Sequence, residues 1–257
     1  MTLNELLDAI RPSTIGWTVL LPTNWMQGRT AYGGVSTAMA HHCARLMLPD
    51  VPPLRSAQIA FVGPLAGELQ ITCDLIRRGR NTAFVETRIA GEDGCGFLAT
   101  FIFMNPRSST ISYDGPAKPD FSAPPADSDI RHGPPEFFTS NFDYPDKRLQ
   151  LGANTNRLLN WHRLSHRGGI DPTTELLCVG DALPPSAMGL MDASGPISSM
   201  NWQVNLLTDT PSSSTGWWLL DSQTHHAGHG ASSQYMTVWN SEGEAVMTGM
   251  QSVALFV

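Results

Sequence analysis

The stretch Tyr32-Gly-Gly-Val-Ser-Thr-Ala-Met-Ala-His-His-Cys-Ala-Arg-Leu46 carries the strongest signal for the fold. Its two glycines indicate a tight, exposed turn, and apolar side chains then recur at helical spacing with small residues between them. Because small residues let a neighbouring backbone approach closely, the stretch predicts a helix wrapped by a sheet. The apolar positions of this helix are Val35, Ala38, Met39, Cys43 and Leu46.

Strand patterns follow the helix in both halves of the chain. In the first half, short runs of apolar and β-branched residues separated by glycine turns predict four consecutive strands, at residues 56–62, 68–77, 82–90 and 97–104. The same order then repeats, with a strand at 158–166, a helix that begins at Asp171-Pro172, and strands at 199–207, 216–224, 232–239 and 245–256. The turn Glu92-Asp-Gly94 has a counterpart in Ser241-Glu-Gly243, so we interpret the chain as two copies of one unit.

A proline-rich segment separates the two copies. Eight of the 19 prolines lie between residues 105 and 150, which predicts a linker. Its aromatic cluster suggests that the second half of the linker packs on the body of the protein. The predicted organisation is an N-terminal unit at 1–107, a linker at 108–150 and a C-terminal unit at 151–257. The cluster consists of Phe137, Phe138, Phe142 and Tyr144.

One helix and four strands cannot bury both faces of a sheet, so each unit must curl around its helix and pair with another copy. The predicted fold class is therefore α+β, a tandem in which each half is an antiparallel sheet wrapped around a central helix. A chain of 257 residues with 41% hydrophobic and 15% charged residues can bury two such cores.

Charge and cysteine content exclude several classes of function. A net charge of -7 with scattered lysines and arginines predicts no nucleic-acid binding. No segment has the length of a membrane span, so we expect no membrane insertion. Four widely separated cysteines predict neither a disulfide framework nor a thiolate metal site, and a reducing cytoplasm fits best. They are Cys43, Cys73, Cys95 and Cys178.

Familiar catalytic motifs do not occur in the sequence. It contains no Gly-x-Ser-x-Gly elbow, Walker loop or dinucleotide-binding glycine pattern. His225, His226 and His229 superficially resemble metal ligands, but adjacent strand residues point to opposite faces. We therefore expect no bound metal.

The order of elements, together with Trp25, Tyr32-Gly-Gly34 and the spacing from Gly243 to Gln251, resembles the double hot-dog acyl-CoA thioesterases of the TesB type. This resemblance implies hydrolysis of an acyl-CoA thioester by an oriented water, without cofactor, metal or covalent intermediate. It also implies a homodimer. The helix start at Tyr32, Gly33 and Gly34 would face the thioester, with the Gly34 amide stabilising the oxyanion.

The family's catalytic residues are an Asp, a hydroxyl residue and a Gln. Carried over by the resemblance, the Gln matches Gln251, the hydroxyl residue matches Thr224 with Ser222 as the alternative, and the Asp position falls on Asn201. A carboxamide cannot take a proton from water. If hydrolysis survives, His225 or the adjacent His226 would be the base.

Two other functions stay open at this stage. The change to Asn201 also fits a binding protein that retains acyl-CoA or another apolar ligand without hydrolysing it. A structural module that acts through a partner surface is the third interpretation. The basic group Arg77, Arg78 and Arg80 fits a solvated hairpin turn, or cations that bind the phosphates of coenzyme A.

Overall fold

A computed structural model describes residues 1–121, 123–145, 155–193 and 195–257. The three α-helices in these ranges are α1 (Leu3–Asp8), α2 (Gly33–Met47) and α3 (Pro172–Gly180). Strands up to the end of the first half are β1 (Arg11–Ser13), β2 (Gly16–Leu20), β3 (Met26–Gln27), β4 (Thr30–Ala31), β5 (Leu54–Phe61), β6 (Glu68–Arg78), β7 (Thr82–Gly91) and β8 (Gly94–Met104). Later strands are β9 (Ile130–Arg131), β10 (Phe142–Pro145), β11 (Arg157–Leu164), β12 (Ile197–Leu206), β13 (Trp218–Gly228), β14 (Ala231–Trp239) and β15 (Ala245–Leu255).

Thirteen of these strands form one continuous sheet, in the order β1-β2-β6-β7-β8-β5-β12-β15-β14-β13-β11-β10-β9. The halves meet where β5 pairs antiparallel with β12, from Ser56 opposite Asn205 to Ala60 opposite Asn201. Helix α2 packs on β6, β7 and β8, and α3 contacts β11. The predicted α+β tandem, with one helix enclosed by each half of an antiparallel sheet, is confirmed.

The two enclosed helices run antiparallel against each other at the centre of the molecule. At one end of the pair, the Tyr32 hydroxyl donates a 2.7 Å hydrogen bond to the Cys178 carbonyl. Further along, the buried His41 ring nitrogen Nδ1 lies 2.9 Å from Oγ1 of Thr174. The helices thus share one core and fix the start of α2 beside the end of α3.

Aromatic side chains of the linker pack on this core, as the sequence predicted. Phe138 stacks on Tyr32 with 4.1 Å between the ring centroids. Phe142 meets the ring of Trp25 edge-on at 6.1 Å. The unit boundaries at 107 and 150 stay a prediction, since residues 146–154 lie outside the described part of the chain.

Among the described residues, no α-helix combines the length and the apolar character that a membrane span requires.

Replacing Phe142 with alanine tests whether the linker contributes to stability. The Phe142 side chain is fully buried, so we expect the Phe142→Ala variant to lose about 3–5 kcal/mol of unfolding free energy in urea titrations. Tyr113, also in the linker but 90% exposed, provides the control, and Tyr113→Ala should unfold like the wild type. Equal stability of the two variants would contradict a packed linker.

Candidate active site

A cavity of about 370 Å³ opens where α2 begins and α3 ends. One wall is the start of α2 at Gly33, and the facing wall is the segment after α3, which includes Asp181. The first residues of β12, up to Ser199, close the third side. The rest of the lining is mixed, with apolar side chains such as Phe61 and Leu183 beside the polar Gln27 and Arg29, and Asp181 is its carboxyl group.

Asp181 is the residue on which α3 ends, and its carboxyl group is partly accessible from the cavity. Its Oδ1 accepts a hydrogen bond of 2.6 Å from Nε2 of Gln251. Desolvation by the surrounding protein raises the pKa of Asp181 to about 7, while hydrogen bonds from Gln251 and from the Gly34 backbone amide act to lower it. A carboxyl group with this pKa can both take and return a proton near neutral pH.

Gln251 lies on β15 within a chain of hydrogen bonds. Its Oε1 accepts from Nε2 of Gln234 at 2.9 Å and from the Ser199 hydroxyl at 3.4 Å. Gln234 Oε1 in turn accepts from the backbone N–H of Ser186 at 3.0 Å. The Ser186 hydroxyl then lies 2.7 Å from that of Thr224. All of these residues except Ser199 are buried, so the network is shielded from solvent.

Glycine is required where α2 meets Asp181. A Cβ atom at Gly33 would lie 2.5 Å from Oδ2 of Asp181 and 2.9 Å from the ring of Phe61. Gly33 lines the cavity, whereas the neighbouring Gly34 turns its amide towards Asp181. Tyr32 is buried and bonded to the end of α3, outside the cavity lining. Of the three predicted substrate-binding residues, Gly33 is therefore the one that borders the cavity.

The predicted catalytic residues fall into two groups in the structure. Gln251 and Thr224 belong to the buried network, and the alternative Ser222 donates to the Ser186 hydroxyl at 3.3 Å. His225 is exposed, and its ring lies 4.3 Å from that of Tyr235. His226 is exposed as well.

Asn201 also lies outside the network. Its side chain is exposed, and its Oδ1 accepts from the Ser252 backbone N–H at 2.9 Å. A β-bulge between Ser199 and Asn201 shifts the register of β12, and the β12 residue that reaches Gln251 is Ser199. The carboxyl partner of Gln251 is Asp181, a residue that we did not single out from the sequence.

A second cavity, of about 270 Å³, lies at the opposite end of the helix pair. Its wall contains His41, whose pKa burial lowers to about 4, and an ion pair between Arg45 and Asp171. Near it, Arg78 of the basic hairpin pairs with Asp50, and none of the three hairpin arginines lines the first cavity. Over the described ranges, no group of three or more His, Cys, Asp or Glu residues could hold a metal ion.

Comparison with known proteins agrees with this architecture. Profiles of the acyl-CoA thioesterase N-terminal domain and C-terminal domain match residues 21–104 and 115–255. The fold and these matches define a double hot-dog protein of the thioesterase class. The chain belongs to the acyl-CoA thioesterase family. No curated protein matches the sequence.

Solved structures of the same fold cover nearly the whole chain. One is a conserved protein of unknown function with a hot-dog fold from Alicyclobacillus acidocaldarius, at TM-score 0.84 and 17% identity over 99% of this chain and 98% of that one. The tesB protein of Mycobacterium avium subs paratuberculosis aligns at TM-score 0.78 and 17% identity, over 99% of both chains. Acyl-CoA thioesterase II TesB2 from Mycobacterium marinum aligns at TM-score 0.73 and 15% identity, over 98% of this chain and 97% of that one. These likenesses show the fold.

Adding one methyl group at Gly33 tests the close contact between the helices. Gly33→Ala would force its Cβ against Asp181 and Phe61, and we expect a loss of about 1–3 kcal/mol of unfolding free energy. Gly168, which has open space around it, is the matched control. Gly168→Ala should be as stable as the wild type in the same denaturation experiment, and an equally stable Gly33→Ala would show that the contact is loose.

Proposed function

We propose that this protein is an acyl-CoA thioester hydrolase in which Asp181 is the general base and Gln251 holds its carboxylate in place. The observation that carries the proposal is the 2.6 Å hydrogen bond between Gln251 and Asp181 at the wall of the cavity. Family membership supports the reaction class, since thioester hydrolysis of acyl-CoA is what the matched domains are named for.

The reaction requires one proton to be taken and one to be returned. Asp181 accepts a proton from water as the water oxygen attacks the thioester carbonyl carbon. The tetrahedral oxyanion develops beside Gly33, where the positive end of the α2 dipole stabilises it. When the C–S bond breaks, the leaving coenzyme A sulfur receives a proton from the Asp181 carboxyl group. The products are a carboxylic acid and a thiol, and the carboxylate is regenerated.

Thr224 and Ser199 have supporting roles in this proposal. The Thr224 hydroxyl contacts Ser186, which is bonded to Gln234, so it helps to hold the network and does not touch the base. Ser199 lines the cavity and reaches Gln251, so its hydroxyl is placed to orient the attacking water. We assign no catalytic step to Asn201 or His225, because both side chains are exposed and outside the network.

The binding-protein alternative was motivated by the lack of an acid at Asn201. Asp181 supplies a carboxyl group directly beside Gln251, which removes that motive and favours hydrolysis. A homodimer and a cytoplasmic location stay predictions, to be tested by light scattering and by fractionation of the host cell.

Substitution of Asp181 tests the proposal directly. Asp181→Asn keeps the shape and an acceptor for Gln251 but cannot take a proton, so we expect kcat to fall about 10²–10⁴-fold. A thiol-release assay over short, long and aromatic acyl-CoAs gives the measurement. Asn201→Ala and His225→Ala are controls that should keep turnover close to wild type. Undiminished turnover in Asp181→Asn, or its loss in either control, would contradict the assignment.

The titration of Asp181 should appear in both activity and stability. Because the base must be ionised, kcat/KM should rise about tenfold per pH unit below pH 7 and level off above it. The folded pKa is raised from 3.8, so protonated Asp181 stabilises the fold and this contribution is lost as the pH rises from about 4 to about 7. Asp181→Asn should therefore unfold at a higher temperature than the wild type at pH 8, with a smaller difference at pH 4.

A further inference from the structure

The orientation of the Gln251 amide determines whether a hydrogen-bond donor or an acceptor faces Asp181. With Nε2 towards the carboxyl group, as observed, the amide donates a hydrogen bond to the ionised acid. A flipped amide would place Oε1 against the carboxylate, and two acceptors repel unless the acid is protonated. The contact with Asp181 alone does not enforce the observed direction, because protonation of the acid would make either orientation acceptable.

The orientation is fixed from the other side, by Gln234. The N–H of Ser186 belongs to the backbone, so it can only donate, and it donates to Oε1 of Gln234. The Ser186 hydroxyl is 3.3 Å from the same oxygen. Gln234 must therefore present its Nε2 to Gln251, whose Oε1 accepts it at 2.9 Å. This leaves Nε2 of Gln251 directed at Asp181.

Gln234 is positioned to act on Asp181 through Gln251. It lies directly opposite Gln251 in the pairing of β14 with β15, and it is 1% exposed. It does not line the cavity, so it makes no contact with a molecule bound there. A buried amide is costly unless it is hydrogen-bonded, and both ends of this one are occupied by Ser186 and Gln251.

We propose that Gln234 is a positioning residue, which transmits the fixed direction of the Ser186 backbone N–H to Gln251 and so holds a donor against Asp181. This inference rests on the proposed function, since it assigns Gln234 a part in preparing the same base. The chain of hydrogen bonds runs from Ser186 through Gln234 on β14 and Gln251 on β15 to Asp181. Its two ends, Ser186 and Asp181, both lie in the connection that follows α3.

The experiment replaces Gln234 with methionine, which has a similar length and no amide. Without its donor, Gln251 is free to flip, and loss of one bond to the carboxylate should lower kcat about tenfold or more with little change in KM. The midpoint of the pH profile of kcat/KM should rise by about one unit. Gln203→Met, a change on the exposed face of β12, is the matched control and should leave both quantities unchanged.

A double-mutant cycle separates positioning from a general structural effect. Gln234→Met should shift the Asp181 titration in the wild type but have no further effect in a Gln251→Met background. Gln234→Leu is measured in parallel, so that the test does not depend on one variant folding. Equal shifts in both backgrounds, or no shift in the wild type, would overturn the inference.

A readout without turnover keeps this test independent of the proposed function. Carbon-13 NMR of labelled aspartate carboxyl groups follows the Asp181 titration directly, and Asp181→Asn identifies its resonance. If the wild type hydrolyses no acyl-CoA but Gln234→Met raises the Asp181 midpoint, the proposed function fails and the positioning role stands. If the wild type hydrolyses acyl-CoA but the Asp181 midpoint does not move in Gln234→Met, the positioning role fails and the proposed function stands.

Discussion

The structure depends on the contact between the first turn of α2 and the last turn of α3. These two helix ends come from different halves of the chain, and side chains larger than hydrogen would keep them apart at Gly33 and Gly34. With glycine there, α2 directs its N-terminal amides at the residue on which α3 ends, and that residue is Asp181. The joined sheet, in which β5 pairs with β12, holds the two helices in this relation. A carboxyl group thus lies beside helix amides, and Gln251 on β15 reaches it from the sheet.

The strands were predictable because each depends on its own pattern. Apolar alternation and glycine turns are local properties, and the nine strand segments expected from them all occur, with ends shifted by a few residues. The paired units followed from the need to bury both faces of each sheet. The place of Gln251 on the last strand was predictable because the turn at Gly243 comes directly before that strand.

Asp181, the acid of the proposed site, was harder to predict from the sequence, for two physical reasons. A β-bulge after Ser199 breaks the alternation of β12, so counting along the strand placed an exposed residue, Asn201, where an inward-facing one was needed. Asp181 follows a short helix of the second half, whereas Gly33 belongs to the first half and Gln251 lies 70 residues further along the chain. The only local signal was an acid at the end of an apolar helix, which ordinarily marks a solvated terminus.

The chemistry of the network explains why burial can raise the pKa of Asp181 to about 7. The groups that bond to Asp181 are amides, from Gln251 and from the Gly34 backbone. An adjacent arginine or lysine would hold the carboxylate ionised and lower its pKa by about 1–3 units. Amides instead stabilise the charged form only partly, so that burial remains the larger effect. Neutral donors therefore let the same group take a proton and give it back.

The two cavities at opposite ends of the antiparallel helix pair show what joining two copies in one chain allows. Two identical subunits would carry the same residues at both ends, so any substitution at one site would occur at the other. In this chain one end has an acid and an amide, and the other has a neutral histidine and a closed ion pair. Fusion of two copies in one chain therefore lets the two ends of the helix pair diverge. Residues at one end can change in favour of packing while those at the other end keep the acid and the amide.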